Sequence, residues 1–346
     1  MFKLAPLPRN VEAALRDARH RDVKVRKSAL RDLTALAGGS ARQRALDCLE
    51  RLLLDDESED IRAEAAVALA DAGAESAVPG LLRAARQGSE RVRQMALMAL
   101  GEVGLGVPEA LAVVRDALAQ KTPALRFQAL VAQFHLEPQK TIAALERYLD
   151  DDDPEIRAVA VRMADEHYTQ HRDETPPRWL TRRMRQLSKD DSDEVRLLAA
   201  ILAFRLTGRT DAVPIAAAVN RRAGIRDPAD EQAAIEIAGE AGVEEARPGL
   251  ERRAFGFMGF SSDAFAWQAR VALARMGHAR AAQGILKDLA STDRDKRALA
   301  VAAAGAARLA AARARLLSML GDEQSAEPDE VRKALTQIDA EAIRRP

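Results

Sequence analysis

The sequence predicts an all-α protein, a right-handed α-solenoid of about ten antiparallel helix pairs. A short motif that ends in an arginine recurs along the chain at steps of 31–39 residues. Glycine and proline stand six residues apart at Gly73–Pro79, Gly208–Pro214 and Gly242–Pro248. Hydrophobic residues make up 47% of the chain and aromatic residues only 3%, which suits closely packed helices. A helix pair of about this length cannot bury its apolar faces alone, so successive copies must stack.

The clearest copy of the repeat covers residues 58–82. Ser58 is the predicted N-cap of its first helix, and Gly73 supplies the left-handed residue that ends it. Ile61 begins an apolar stripe with a period of about four residues. The next helix has Pro79 in its first turn, where a missing N–H costs little. Each helix therefore presents one apolar face to its neighbours.

A repeat arginine marks seven copies of the motif. It follows an aliphatic residue and, in six of the seven, stands four residues after an Asp, Ser or Thr. The seven are Arg26, Arg62, Arg93, Arg126, Arg157, Arg196 and Arg332. Three weaker copies between the last two put Glu231, Ala266 and Arg297 in its place.

Helix starts at Pro, Thr, Ser and Asp, and helix ends at Gly, set the order of the pairs. We predict 10–19 with 22–37, 41–54 with 59–72, 75–86 with 89–103, 108–119 with 122–136, 138–149 with 154–168, 177–188 with 192–207, 210–222 with 229–241, 244–254 with 262–276, 279–290 with 293–307, and 309–320 with 328–342. A single solenoid would cover 1–346, with an extended lead-in at 1–9. Residues 169–177, which hold Pro176 and Pro177, predict a bend or an insertion. A polar C-terminal cap is predicted over 326–346.

This pattern resembles the HEAT-repeat family, in the short bacterial form seen in phycobilisome-lyase-like proteins. The matching residues are Ile61, Arg62, Ala65, Ala68 and Leu69, followed by the Ala-Val-Pro-x-Leu opening of the next helix. The resemblance covers nearly the whole chain and implies a HEAT-like superhelix. It also implies a role in holding partners, because arrays of this family mostly bind and only occasionally catalyse.

Composition limits the classes of partner. The chain has 53 basic and 53 acidic residues, so no net charge draws it to nucleic acid or to a membrane. Its one cysteine, Cys48, is predicted to be a small buried hydrophobe in a reducing, cytoplasmic setting. No long apolar run predicts a signal peptide or a membrane span. No cofactor is predicted.

An aromatic stretch over 255–267 is the most distinctive local feature, since it holds five of the twelve aromatic residues of the chain. Its glycines argue against a continuous helix, and apolar side chains on a loop are typical of a docking surface. The predicted partner-binding residues here are Phe255, Phe257, Met258 and Phe260. The alternative is that the stretch folds back and seals the gap between repeats 8 and 9, above all at Phe265 and Trp267.

A basic helix at 178–189 has no acidic residue between Glu174 and Asp190. A second stretch without acids runs over 264–287. If such charges share a face, they attract an acidic protein surface or a phosphate backbone; the alternative is a solvated outer face. The predicted binding residues are Arg178, Trp179, Arg182, Arg183 and Arg185.

Two further clusters are expected to be structural. The acidic runs at 55–60 and 150–155 lack the spacing of a calcium loop and lie where helix N-termini favour anions. His167 and His171 share a helix face, but no third metal ligand is signalled, so we predict a surface pair and no metal.

No catalytic motif is present in the sequence, so the leading hypothesis is a non-catalytic scaffold or adaptor that binds another protein on its concave surface. The alternative is nucleic-acid binding through the basic helix, as in HEAT-like DNA glycosylases. A second alternative, lyase-like handling of a bilin, follows from the family resemblance alone.

Overall fold

The computed structural model describes residues 10–221, 224–225, 227–256, 263–320 and 326–344. Every regular element in these ranges is a helix, which confirms the predicted all-α solenoid class. The lead-in predicted for 1–9 lies outside the described residues. The chain divides into two compact units, Met1–His171 (unit 1) and Arg172–Pro346 (unit 2), and each is described by itself.

Unit 1 consists of five helix pairs. Its helices are α1 (Val11–Asp17), α2 (Val23–Leu36), α3 (Arg42–Asp55), α4 (Glu59–Asp71), α5 (Val78–Gln87), α6 (Glu90–Val103), α7 (Pro108–Leu118), α8 (Pro123–Leu136), α9 (Pro138–Ala143), α10 (Leu145–Leu149) and α11 (Pro154–Gln170). The first helix of the fifth pair is broken at Ala144 into α9 and α10, where one helix over 138–149 was predicted. A 3₁₀ turn, Glu75–Ala77, precedes α5.

The described residues of unit 2 also form five pairs. Its helices are α12 (Arg178–Leu187), α13 (Asp193–Thr207), α14 (Ala212–Val219), α15 (Pro228–Ala241), α16 (Arg247–Phe255), α17 (Ala266–Arg275), α18 (Ala279–Leu289), α19 (Arg294–Ala306), α20 (Arg313–Met319) and α21 (Pro328–Arg344). The 3₁₀ turns Glu244–Ala246 and Ala310–Ala312 precede α16 and α20. The single domain over 1–346, the bend at 169–177 and the cap at 326–346 stay predictions.

Each unit has its own continuous apolar core. The core of unit 1 runs from Ala14 to Ala132 and that of unit 2 from Leu197 to Ile338, and alanine is the commonest residue in both. Within each unit the second helices of successive pairs pack side by side. The apolar stripes that the sequence predicts therefore face one another.

The repeat arginine has a recurrent set of acceptors. Arg26 donates from Nη1 to the carbonyl oxygens of His20 and Arg21, at 2.9 and 3.2 Å. These carbonyls lie in the loop between the two helices of a pair, six and five residues before the arginine, where no helical N–H reaches them. The same two positions accept bonds from Arg62, Arg157, Arg196 and Arg297. Arg297, which the sequence placed among the weaker copies, thus behaves as a full repeat arginine.

Three repeat arginines depart from this pattern. Arg93 donates to the Ala85 carbonyl at 3.1 Å and to Gln120 Oε1 at 2.7 Å. Arg126 pairs with the carboxylate of Asp151. Arg332 is exposed and bonds only to Asp329 among the partners described for its side chain.

At Glu231 the charge of the repeat position is reversed. Its carboxylate pairs with Arg253, a guanidinium from the next pair that is only 3% exposed. Arg253 also donates from Nε to the Val219 carbonyl at 2.9 Å. The buried arginine therefore comes from α16, and the second helix supplies the carboxylate.

Helix caps largely follow the sequence, with one correction. Gly73 has a φ of +57°, as the predicted helix end requires. Ser58 occupies the N-cap position, but its side chain makes no capping bond. Its backbone N–H donates instead to Asp56 Oδ1 at 2.8 Å, so the acidic residue organises the turn.

Three helix-interior glycines allow second helices to approach closely. A Cβ at Gly101 would lie 2.9 Å from the Cα of Ala132, and a Cβ at Gly239 would lie 2.5 Å from the Cα of Ala272. Gly305 meets Ala334 in the same way, at 2.7 Å. These contacts join α6 to α8, α15 to α17, and α19 to α21.

Gly239→Ala should destabilise unit 2 by about 1–2 kcal/mol, because the added methyl would overlap backbone that cannot move cheaply. Gly284→Ala is the matched control, since a Cβ at Gly284 meets nothing within 4 Å. There the gain in helix propensity should stabilise by up to about 1 kcal/mol. Urea denaturation followed by circular dichroism measures both, and equal effects of one sign would refute the packing argument.

Arg26→Ala should cost unit 1 about 3–5 kcal/mol, because it leaves the Asp56 carboxylate buried without its ion-pair partner. Arg26 holds that carboxylate with two bonds, Nε to Oδ2 at 2.7 Å and Nη2 to Oδ1 at 2.8 Å. The control is Arg332→Ala, which removes an exposed pair and should cost under about 1 kcal/mol. Thermal and urea unfolding of the two variants should differ clearly; similar losses would count against the assigned role of Arg26.

Candidate functional site

An open groove of about 700 Å³ lies in unit 2 between α17, α18 and α19, with the end of α16 at its edge. We call it the basic–aromatic groove. Its large apolar side chains are Phe255, Trp267 and Leu299, and its cations are Arg270, Arg280, Lys287 and Lys296. A volume of this size is typical of sites that bury a small ligand or a short peptide segment.

The groove exists because α17 and α19 pack less closely than the other successive second helices of unit 2. The first helix between them, α18, forms its floor. α18 buries Ala281, Ile285 and Leu289 in the core, at a spacing of four residues. Ala281 and Ile285 also reach the groove lining, and the flank of α18 beside them brings Arg280 and Lys287 to it.

Apolar side chains in the groove are unusually exposed. Trp267 is 37% exposed and Leu299 is 57% exposed. A tryptophan that is not buried keeps much of its large apolar surface in water, and such surface favours association. The exposed pair thus gives the groove an apolar contact surface.

The groove cations have no ionic partner among the described residues, although arginines of α17 and α19 outside the groove do. Arg275 pairs with Glu240 at 2.9 Å, and Arg294 pairs with Glu327 at 3.1 Å. Asp288 is the one carboxylate in the lining. With four cations and one carboxylate, the groove lining therefore carries an excess of positive charge.

Two of these cations are held in place by neutral contacts. The guanidinium carbon of Arg280 lies 4.1 Å from the centre of the Phe255 ring, a cation–π contact. Arg270 Nε donates to the Ala254 carbonyl at 3.1 Å. Both contacts come from the end of α16 and leave the positive charges available to a ligand.

The aromatic stretch is divided between the core and the groove. Phe265 packs against the core of unit 2, as the folding-back alternative expects, and Phe255 both packs against that core and lines the groove. Trp267 lines the groove and is exposed, contrary to that alternative. The predicted binding residues Phe257, Met258 and Phe260 lie outside the described residues. Lys296 and Leu299 were missed by the sequence reasoning, because they belong to the next helix pair and carry no local signal.

The basic helix is α12, and it contributes no side chain to the groove lining. Arg178, Arg182 and Arg185 are exposed and recur at a spacing that puts them on one face. Arg183 Nη1 donates to Gln186 Oε1 at 3.1 Å, and Trp179 is half-buried. The two basic surfaces are therefore separate features of unit 2.

The acidic runs have structural roles. Asp56 binds Arg26, and Asp151 binds Arg126. Asp153 caps α11 by accepting a bond from the Glu155 N–H at 2.9 Å. Within the described ranges, no group of three or more His, Cys, Asp or Glu side chains is arranged to hold a metal ion.

His167 and His171 are not the surface pair that the sequence predicts, because His167 is buried. The two rings stack with their centres 4.6 Å apart. Cys48 is buried as predicted, and burial raises the pKa of its thiol, which disfavours the reactive thiolate.

Comparison with known proteins confirms the repeat class. A family model described as HEAT repeats matches residues 48–134 and 79–165. Residues 48–165 of the chain therefore contain HEAT repeats, as the sequence motif predicted. No curated protein matches it.

Two solved structures are similar. The complex of CpcE and CpcF of phycocyanin lyase from Nostoc sp. PCC7120 shares 18% identity at a TM-score of 0.41, over 72% of this chain and 96% of that one. YibA of E. coli shares 16% identity at a TM-score of 0.43, over 93% of this chain and 99% of that one. At these scores neither carries a functional argument. In the described part of the chain, no helix is both long and apolar enough to cross a membrane.

The exposure and charge of the groove predict how Trp267 responds to ionic quenchers. In a Trp179→Phe variant, Trp267 is the remaining tryptophan. Relative to free N-acetyltryptophanamide, iodide should quench its fluorescence more strongly and caesium more weakly, because four nearby cations concentrate anions and repel cations. The difference should shrink as salt screens the charges and on charge removal with Arg270→Gln and Lys296→Gln. Equal relative quenching by the two ions at low salt would contradict the geometry of the groove.

Proposed function

We propose that the chain is a non-catalytic protein-interaction scaffold or adaptor and that the basic–aromatic groove binds a partner protein. HEAT repeats commonly mediate protein interactions, and the chain contains them. The observation that carries the proposal is the exposure of Trp267 and Leu299 beside four cations that lack ionic partners among the described residues. Tryptophan and arginine are the residues most enriched at the energetic centres of interfaces.

A groove of about 700 Å³ takes a segment of a partner and not a whole domain. Stable interfaces bury roughly 800 Å² on each side, so a partner would also contact surface beyond the groove. The exposed face of α12, with Arg178, Arg182 and Arg185, is our proposal for a further contact surface. Trp179 and Arg183 lie on the same helix, and Phe257, Met258 and Phe260 remain predicted contacts. A cytoplasmic location remains part of this proposal.

Nucleic acid is the alternative occupant, because arginine and lysine also bind phosphates. Exposed aliphatic surface such as Leu299 favours a protein, since nucleic-acid recognition stacks bases on aromatic or guanidinium planes. The net charge of zero also removes any general attraction to polyanions. Bilin handling, the second alternative, rests on the family resemblance alone.

The proposal predicts a defined covalent adduct when a photo-crosslinking amino acid replaces Gln283, which lines the groove. The expected adduct is resistant to nuclease, contains one partner protein by mass spectrometry, and is lost on Leu299→Ser. Leu299 is largely exposed, so this change should leave the fold intact. The crosslinker placed at exposed Glu109 in unit 1 is the control and should give no such adduct.

Failure to form any adduct at Gln283, or the same adducts at both positions, would contradict the site. An adduct that nuclease destroys would assign the groove to nucleic acid and refute the protein-binding proposal.

A further inference from the structure

Gly284 is anomalous among the helix-interior glycines of the described residues. Each of the others would place a Cβ within 3.0 Å of another atom, so packing explains why it is a glycine. Gly284 lies in the middle of α18, is exposed, and would place its Cβ in open space. A glycine at such a position weakens the helix with no gain in packing. Its effect is to leave the backbone of α18 bare at the floor of the groove.

The bare backbone lies between two cations. Arg280, Gly284 and Lys287 follow one another at spacings of four and three residues, so they share one face of α18. At a rise of about 1.5 Å per residue, the two cations are roughly 10 Å apart along the helix. An extended chain in the polyproline II conformation covers that distance in about three residues, which is one full turn, so residues i and i+3 lie on the same side. Carboxylates spaced by three residues on an extended segment would therefore match the two charges.

A partner that approaches the glycine backbone closely is more readily an extended segment than a helix. A helix with its side chains is about 10–12 Å in diameter, which keeps its backbone away from the surface of α18. The apolar side chains of the groove walls indicate which kind of residue lies between the two carboxylates of the segment. Trp267 and Leu299 are exposed on the helices that flank α18. An aliphatic or aromatic side chain of the segment would contact them.

We infer that the groove binds an acidic, extended segment of the partner protein, which runs along α18 over Gly284. Its carboxylates bind Arg280 and Lys287, and Arg270 and Lys296 extend the positive surface on either side. An apolar residue between the carboxylates packs on Trp267 and Leu299. This inference rests on the proposed function and specifies the chemistry of the partner.

The probe is a fluorescein-labelled synthetic peptide that has one glutamate for each of the four groove cations around a central leucine–tryptophan pair. Fluorescence anisotropy with the full chain should show saturable binding that weakens as salt is raised. The same peptide with lysine in place of glutamate, and a single-stranded oligothymidine, are the chemical controls. Neither should bind as tightly as the acidic peptide.

Gly284→Gln fills the open space with a good helix former, so the Tm should stay unchanged or rise while the Kd of the acidic peptide rises at least about tenfold. Ala298→Gln is the control, because it adds a glutamine at an exposed position of α19 outside the groove lining. It should change neither the Tm nor the Kd of the acidic peptide. Lys287→Glu should also weaken the acidic peptide at least tenfold and improve binding of the lysine peptide.

An acidic peptide whose Kd is insensitive to both Gly284→Gln and Lys287→Glu would overturn the inference, as would equal or tighter binding of the lysine peptide or of oligothymidine. Wild-type dimers in sedimentation that Lys287→Glu dissociates would overturn it too, because they would assign the groove to an acidic loop of a second copy. A protein adduct at Gln283 without acidic-peptide binding rejects this inference alone. If neither a protein adduct at Gln283 nor binding of the acidic peptide is observed, the proposed function is rejected as well.

Discussion

The fold depends on the hydrogen bonds between a repeat arginine and the loop that precedes its helix, which five of the repeats make in the same form. Short loops leave carbonyls at the end of the first helix without helical donors, and a buried carbonyl without a partner is costly. Arg62 satisfies the carbonyls of Asp56 and Glu57. The side chain of that same Asp56 binds Arg26 of the preceding repeat. One acidic residue therefore links two repeats, and Asp151 does the same between Arg126 and Arg157.

This arrangement explains why so much of the fold could be predicted from the sequence. The repeat arginine, the acidic loop before it and the glycine that ends a helix all act within one repeat or between adjacent ones, so their spacing is visible in the chain. Glu231 shows the limit of such reasoning. Its partner Arg253 lies 22 residues further on in another helix, and no motif signals the exchange of charges. The break of the predicted helix at Ala144 likewise left no signal.

The sequence predicted only some of the groove residues, because contacts between residues of different repeats leave no local motif. The acid-free stretch 264–287 and the aromatic stretch identified α17 and α18, but Leu299 and Lys296 reach the groove through packing of the next pair. Helix spacing decides where such a groove can open. Where Gly239 and Gly305 lie against alanines, the second helices meet closely. α17 contains no glycine, and it presents Trp267 and Val271 to the grooves beside it.

The candidate site therefore lies where the repeat pattern is irregular. Ala266 stands in the place of the repeat arginine at the start of α17. The end of α16 supplies other contacts: Phe255 holds Arg280, and the Ala254 carbonyl holds Arg270. Long cationic side chains ordinarily lose rotamer freedom when they bind, at about 0.5–1.5 kcal/mol each. Because these two are already fixed by neutral neighbours, part of that loss has occurred on folding, and their charge is left for a ligand.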